Sequence, residues 1–158
     1  MAGMFLSATL STTNYDALLE GWNDLVLQSS VYFHGGSSQY TCGSAAETAR
    51  TNMISVSGDN WTITDGGCLT NQIITFANLS EKNYGDSSFA LGATADSELS
   101  VSYSISTTSV CTESGGNLTI LAIGDCTIIA SQTGDYFYFP ADNVTQTFTI
   151  GPDIAKIV

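Results

Sequence analysis

Basic side chains are nearly absent from this chain: Lys+Arg number 3 against 15 Asp+Glu, a formal net charge of -12. Three cations cannot neutralise a run of phosphates, so nucleic acid is excluded as a partner. An anionic membrane surface is a poor partner for the same reason. Histidine occurs once, at His34, and no GxSxG motif is present, which argues against a serine hydrolase. No CxxC pair or His-spaced cysteine cluster occurs, so a zinc site has no sequence support. No eighteen apolar residues run together, so no helix is expected to span a bilayer. The opening residues Met1 to Leu6 lack a basic n-region and a long apolar stretch, and do not read as a signal peptide. Charged residues make up only 11% of the chain, where a cytosolic domain usually holds about a quarter.

What is present points to strands. Hydrophobic residues at 43% and aromatics at 10% suffice for a core, so a disordered chain is excluded. Ser and Thr together number 40, and with Val, Ile, Tyr and Phe they favour sheets whose solvent face carries hydroxyls instead of ions. The carboxylates repel one another and keep such a surface in solution.

Four cysteines, Cys42, Cys68, Cys111 and Cys126, allow three pairings. They fall two and two on either side of a junction near residue 70, which favours Cys42–Cys68 and Cys111–Cys126, one staple per subdomain. Each loop closure is worth roughly 3 kcal/mol, a sizeable gain for units this small. Such crosslinks persist outside the reducing cytoplasm.

Local pattern divides the chain at about the same place. Residues 1–12 read as extended. Asn14 to Leu27 has helical spacing, with Tyr15, Leu18, Leu19, Trp22, Leu25 and Val26 on one face, Thr13 or Asn14 as N-cap, and Asp16 suited to the positive end of the dipole. Val31 to Phe33 is a short strand. Ser44-Ala45-Ala46-Glu47 is a capping box opening a second helix, with Ala45, Ala49, Met53 and Val56 inward and Gly58 ending it. Trp61 to Thr64 is a strand followed by the turn Asp65-Gly66-Gly67. After Cys68 the period becomes two, with strands over 72–76, 88–93, 99–106, 110–113, 117–123, 126–132 and 144–150, and a hairpin connection at Ser114-Gly115-Gly116-Asn117. The fold class expected is mainly β: a small α+β subdomain over 1–68, an antiparallel sandwich over 69–151, and a linker or next element over 152–158.

Specific residues support a resemblance. Leu10 to Leu19, Gly21-Trp22, Gly35-Gly36, Tyr40, Cys42, Ala45-Ala46, Ala49-Arg50 and Trp61 to Gly67 resemble the segment that closes the leucine-rich array of BspA-type bacterial surface proteins, over residues 4–68. Gln72 to Leu79, Tyr84-Gly85-Asp86, Val101 to Tyr103, Cys111-Thr112, Gly124 to Ile128, Ala130 to Gln132 and Val144 to Ile150 resemble bacterial Ig-like repeats of adhesins, over about 70–150. The resemblance implies a bacterial exoprotein in which the repeat is a spacer or adhesive stalk. It also implies that Cys111 and Cys126 sit on neighbouring strands. No leucine-rich units precede the closing segment, so the first subdomain must cover its own edge or use it for contact.

Candidate chemistry is sparse. His34 with Cys42 could form a thiol–imidazole pair, but a disulfide would consume the thiol and no orienting third group is indicated. Asp65, Asp86, Asp125, Asp135 and Asp142 lie next to turns and could bind calcium, though without an EF-hand spacing. No other cofactor is expected. Lys82 with Glu81 is a conceivable isopeptide site. Sequons occur at Asn60, Asn78, Asn117 and Asn143, as chance allows in so Ser/Thr-rich a chain. In Gly134 to Pro140, strand alternation would put Tyr136 and Tyr138 on one face and Phe137 and Phe139 on the other. The repeat it resembles places Tyr138 inward, which leaves Phe137 and Phe139, beside Tyr136, as candidate interface rings.

The expectation is therefore a non-enzymatic extracellular structural or adhesion module of a bacterial surface protein or filament. Its partners would be neighbouring domains or subunits, or a host or glycan ligand, with no nucleic acid and no membrane insertion. The alternatives are a virion structural or spike protein, or a carbohydrate-binding module stacking sugars on Tyr136, Phe137 or Trp61. The start without an export signal fits a virion component. Gly151-Pro152 and the segment after it favour a piece of a longer exported chain.

Overall fold

The structure is a computed structural model that describes residues 5–153. It is mainly β, with two short helices and several small sheets. The chain divides into two compact units: one runs to Asn71 and includes Tyr136–Phe139, and the other holds Gln72–Asp135 and the residues from Pro140 onward. The boundary thus falls close to the one expected, with four residues of the later sequence belonging to the first unit. The extended opening expected over 1–12 is interrupted by a turn at residues 5–7, and Met1 to Met4 and residues 154–158 of the linker or next element expected over 152–158 lie outside the described residues.

In the first unit, α1 (Thr12–Asn23) begins two residues earlier than expected, because Ser11 is the N-cap and its Oγ accepts from Asn14 N at 3.3 Å. The helix stops at Asn23, so Leu25 and Val26 are exposed and not part of its inner face. The end is physically weak: Glu20 and Asp24 lie near the negative pole of the dipole and the last turn holds no basic residue. Asp16 does not cap the dipole either. Its carboxylate accepts Thr41 N at 2.9 Å and Thr41 Oγ1 at 2.7 Å, tying α1 to the strand beside it.

The strands β1 (Tyr32–His34) and β2 (Tyr40–Thr41) come next, followed by α2 (Ala45–Ile54) and then β3 (Thr62–Thr64) and β4 (Cys68–Leu69). β1 pairs in parallel with β3, Phe33 opposite Ile63, and β2 pairs in parallel with β4, Tyr40 opposite Cys68. Two successive helix–strand–strand coils are therefore stacked in register. Ser44 caps α2 by accepting from Ala46 N and Glu47 N, while Glu47 Oε2 reaches back to Gly43 N at 2.7 Å, one residue before the partner a capping box prescribes. Ala46, Ala49 and Met53 are the buried positions; Ala45 and Val56 face out. Ala49 and Met53 are inward as expected, and Ala46 takes the place of Ala45, because Ala46 and Ala49 must meet Tyr15 and Leu19 in a core that also takes Phe33, Tyr40 and Trp61. Gly36 has φ +67, and a Cβ there would lie 2.0 Å from Ala8 O, so only glycine lets residues 5–8 cross over this turn.

The second unit contains β5 (Ile74–Thr75), β6 (Lys82–Asn83), β7 (Phe89–Ala90), β8 (Thr94–Ala95), β9 (Ser102–Ile105), β10 (Cys111–Ser114), β11 (Asn117–Ile120), β12 (Gly124–Ser131) and β13 (Val144–Gly151). All seven expected strands are present, most of them shorter. β6 and β8 are additional, two residues each, in polar stretches that carry no alternation. The sheets are β6-β13-β12-β9, β10-β11-β7 and the pair β5-β8, which gives a sandwich-like arrangement. Cys126, Ile128 and Ala130 alternate inward along β12, as Phe148 and Ile150 do along β13. They meet Ile74, Phe76, Leu91 and Leu118 in one core. At the hairpin Ser114 pairs with Asn117, and Gly115 (φ 59) with Gly116 (φ 80) forms the two-residue turn that needs positive φ twice. β11 stops at Ile120 because Leu121 N and Ala122 N both turn to Val110 O.

Both disulfides have the pairing expected: Cys42–Cys68 and Cys111–Cys126. The second joins two strands that are not hydrogen-bonded to each other. Cys111 lies on β10 and Cys126 on β12, so the bond crosslinks two different sheets. No helix is long and apolar enough to cross a membrane among the described residues.

Candidate contact site

The aromatic segment belongs to the first unit. Thr70, directly after β4, makes a parallel bridge with Tyr138: Thr70 N donates to Phe137 O at 2.8 Å and Phe139 N donates to Thr70 O at 3.0 Å. Residues 136–139 thus extend the β2–β4 pair by a third segment, adding backbone partners beyond β4. The Tyr136 hydroxyl donates to Gly66 O at 3.0 Å, and Gln39 Nε2 donates to Tyr136 O at 2.8 Å. Backbone and side chain together hold the ring in place.

The exposed rings are Tyr136 (58%) and Phe137 (62%), packed edge to face with centroids 5.2 Å apart. Phe139, expected to pair with Phe137 on the outer face, is half-buried, as is Tyr138. Strict alternation fails because the segment makes a single bridge, and Tyr136 is swung over by its bond to Gly66. Its entry point is Gly134 at φ 74.

Beside this segment lies the ionic centre of the first unit, which local sequence pattern did not indicate. Asp65 is almost wholly buried and accepts four bonds: Tyr15 Oη at 2.9 Å, Arg50 Nε at 2.8 Å, Arg50 Nη2 at 3.3 Å and Gly67 N at 3.1 Å. Arg50 also reaches Ile63 O and lies 5.3 Å from the Tyr40 ring centroid. Burial opposes charge on Arg50, but the bonds and charge of Asp65 outweigh it and hold the guanidinium protonated. Burial, then the Asp65 charge, pushes the Tyr15 hydroxyl well above its ordinary 10.0. Burial also raises Tyr40, with Asp65 and Glu47 adding to the effect and Arg50 opposing it. A buried carboxylate with every oxygen engaged is a structural clamp, not a poised base.

This predicts a specific alkaline response. Above pH 10 an unfolded tyrosine ionises while Tyr15 stays neutral in the folded chain, so the folded state binds more protons and stability falls as pH rises. The slope approaches about 1.4 kcal/mol per pH unit for one such tyrosine. Denaturation midpoints measured between pH 9 and 11 should fall for the wild type and fall less for Tyr15→Phe; equal slopes would remove the assignment.

The other nominated residues do not converge. His34 Nδ1 accepts from Gly36 N at 3.0 Å, while Cys42 is disulfide-bonded, so the thiol–imidazole pair is not formed. Trp61 is buried and its indole N–H donates to Gln28 O, which removes it as a sugar-stacking surface. Among the turn aspartates, Asp86 accepts Asn83 N and Asp125 accepts Thr149 Oγ1, and Asp135 and Asp142 are exposed. No group of three or more His, Cys, Asp or Glu comes together among the described residues. The Lys82 ammonium lies 4.9 Å from the Phe89 ring centroid, a cation–π contact. The four sequon asparagines are all exposed.

In the second unit, Tyr84, Leu121 and Ile123 are exposed around a shared depression with Ala122, near where β13 ends against β6. Sequence pattern had assigned Leu121 and Ile123 to a strand, which hid them. No protein-family model, curated protein or solved structure matches the chain.

Proposed function

We propose that this chain is a non-enzymatic extracellular module that builds or presents an adhesive surface, with Tyr136 and Phe137 as its contact rings. The observation that carries the reading is one internal disulfide in each unit, Cys42–Cys68 and Cys111–Cys126. Such bonds persist in oxidising surroundings and toughen small units against unfolding and proteolysis. The likeness to the closing segment of BspA-type proteins and to bacterial Ig-like repeats supports a surface protein as the source. Two coils stacked in parallel and a sandwich-like second unit suit those two expectations. An aromatic pair that stays exposed while its backbone and hydroxyl are fixed is suited to contact, since little conformational freedom is lost on binding.

The test is a Tyr136→Ser/Phe137→Ser variant, compared with the wild type by sedimentation over a range of concentrations and by adhesion to coated surfaces. Lost association or adhesion at an unchanged melting temperature is the expected result. Unchanged association and adhesion would remove the rings from the reading. Glycan-array binding that depends on the same rings would replace it with the carbohydrate-binding alternative.

A further inference from the structure

The two disulfides differ in access. Cys111 and Cys126 are both fully buried (0%), whereas Cys42 and Cys68 are each partly open to solvent. Thiol–disulfide exchange needs a thiolate to reach one sulfur along the S–S axis, so the second bond is shielded and the first is the more open of the two.

What Cys42–Cys68 holds matters more than its access. Cys68 opens β4, a strand of only two residues joined to β2 by a two-residue ladder flanked by Tyr40 N to Gly67 O and Cys42 N to Leu69 O. A pair this short is marginal without a covalent tie. Two residues on, Thr70 supplies both backbone bonds that seat Phe137 and Phe139. Gly66 and Gly67 precede Cys68, and Gly66 O is the acceptor for the Tyr136 hydroxyl. The covalent tie, the strand and the seat of the exposed rings are consecutive along five residues, Gly66 to Thr70.

We propose that Cys42–Cys68 is a redox latch on the aromatic contact site: reduction frees β4 and unseats residues 136–139, and reoxidation restores them. The reductant class is a dithiol. One thiolate attacks a sulfur of Cys42–Cys68 and forms a mixed disulfide while the other cysteine leaves as thiolate. The second dithiol sulfur then displaces the protein, leaving two protein thiols and one oxidised dithiol. The functional meaning rests on the reading of Tyr136 and Phe137 as contact rings; the latch itself does not.

The experiment treats the folded chain with dithiothreitol, traps thiols with iodoacetamide, and maps the label by mass spectrometry alongside amide hydrogen exchange. Cys42 and Cys68 should label at least about tenfold faster than Cys111 and Cys126, since the buried pair opens only with the core. After that first reduction, exchange at Thr70 N and Phe139 N should accelerate by about tenfold or more, while amides of β12 and β13 keep their rates. A Cys42→Ser/Cys68→Ser variant should show the same fast exchange without reductant. Equal labelling of both pairs, or unchanged exchange at Thr70 and Phe139 after reduction, overturns the latch. If exchange accelerates but association is unaffected, the latch stands and the contact reading fails.

Discussion

Asp65→Ala should destabilise the first unit by about 3–5 kcal/mol, the range for removing one partner of a buried ion pair. The loss comes chiefly from what remains: Arg50, the Tyr15 hydroxyl and Gly67 N would keep their burial and lose their common acceptor. Both tryptophans, Trp22 and Trp61, pack in this unit, so tryptophan fluorescence in a urea titration reports on it selectively. The double variant Asp65→Ala/Arg50→Ala should lose less than the sum of the two single ones, because the second change removes the stranded charge. A single-variant loss under about 1 kcal/mol would mean that the cluster behaves like a surface pair and does not clamp the coils.

Replacing Cys111 and Cys126 together by alanine should cost the second unit roughly 3 kcal/mol from the released loop alone, with a sequence separation of 15 between the two cysteines. The true loss should be larger. Both sulfurs are buried among Ile128, Leu118 and Phe148, so two alanines also leave a void, and the tie between β10 and β12 is the only covalent one between their sheets among the described residues. The measurement is hydrogen exchange at the β12 and β13 amides with a parallel urea titration followed by far-UV circular dichroism. A midpoint shift of roughly 1–3 M is expected for an m-value near 1–3 kcal/mol/M. A shift within error would show that the surrounding apolar contacts hold the sheets together without the bond.

Features set by neighbours in the chain were legible beforehand. The Ser44 cap, the Gly115-Gly116 hairpin and the division near residue 70 each depend on a few adjacent residues whose backbone chemistry admits few alternatives. The disulfide pairing followed from that division. The ends of α1 were misread for a related reason: Ser11, Thr12, Thr13 and Asn14 can all cap a helix, and only packing of Tyr15 and Leu19 against α2 selects among them. β6 and β8 were invisible because two-residue strands have no periodicity; they exist because β13 and β5 offer backbone partners.

The candidate site was half legible. An unusual run of four aromatics drew attention to residues 136–139, yet alternation put Phe139 outside and left Tyr136 facing with Tyr138. What decides the outcome is a bond to Gly66, seventy residues earlier, and a bridge to Thr70. The Asp65–Arg50–Tyr15 cluster was hidden for the same reason, since its three members are a turn residue and two helix positions with no spacing rule between them.

The amino-acid order alone thus determined the β-rich character, the local caps and turns, and which sulfurs pair, because composition and short-range backbone chemistry act without knowledge of the fold. The assignment of Tyr136–Phe139 to the first unit, the buried ionic clamp and the unequal shielding of the two disulfides were decided only in three dimensions. Each depends on which distant groups exclude water from one another, and that is a property of packing, not of sequence spacing.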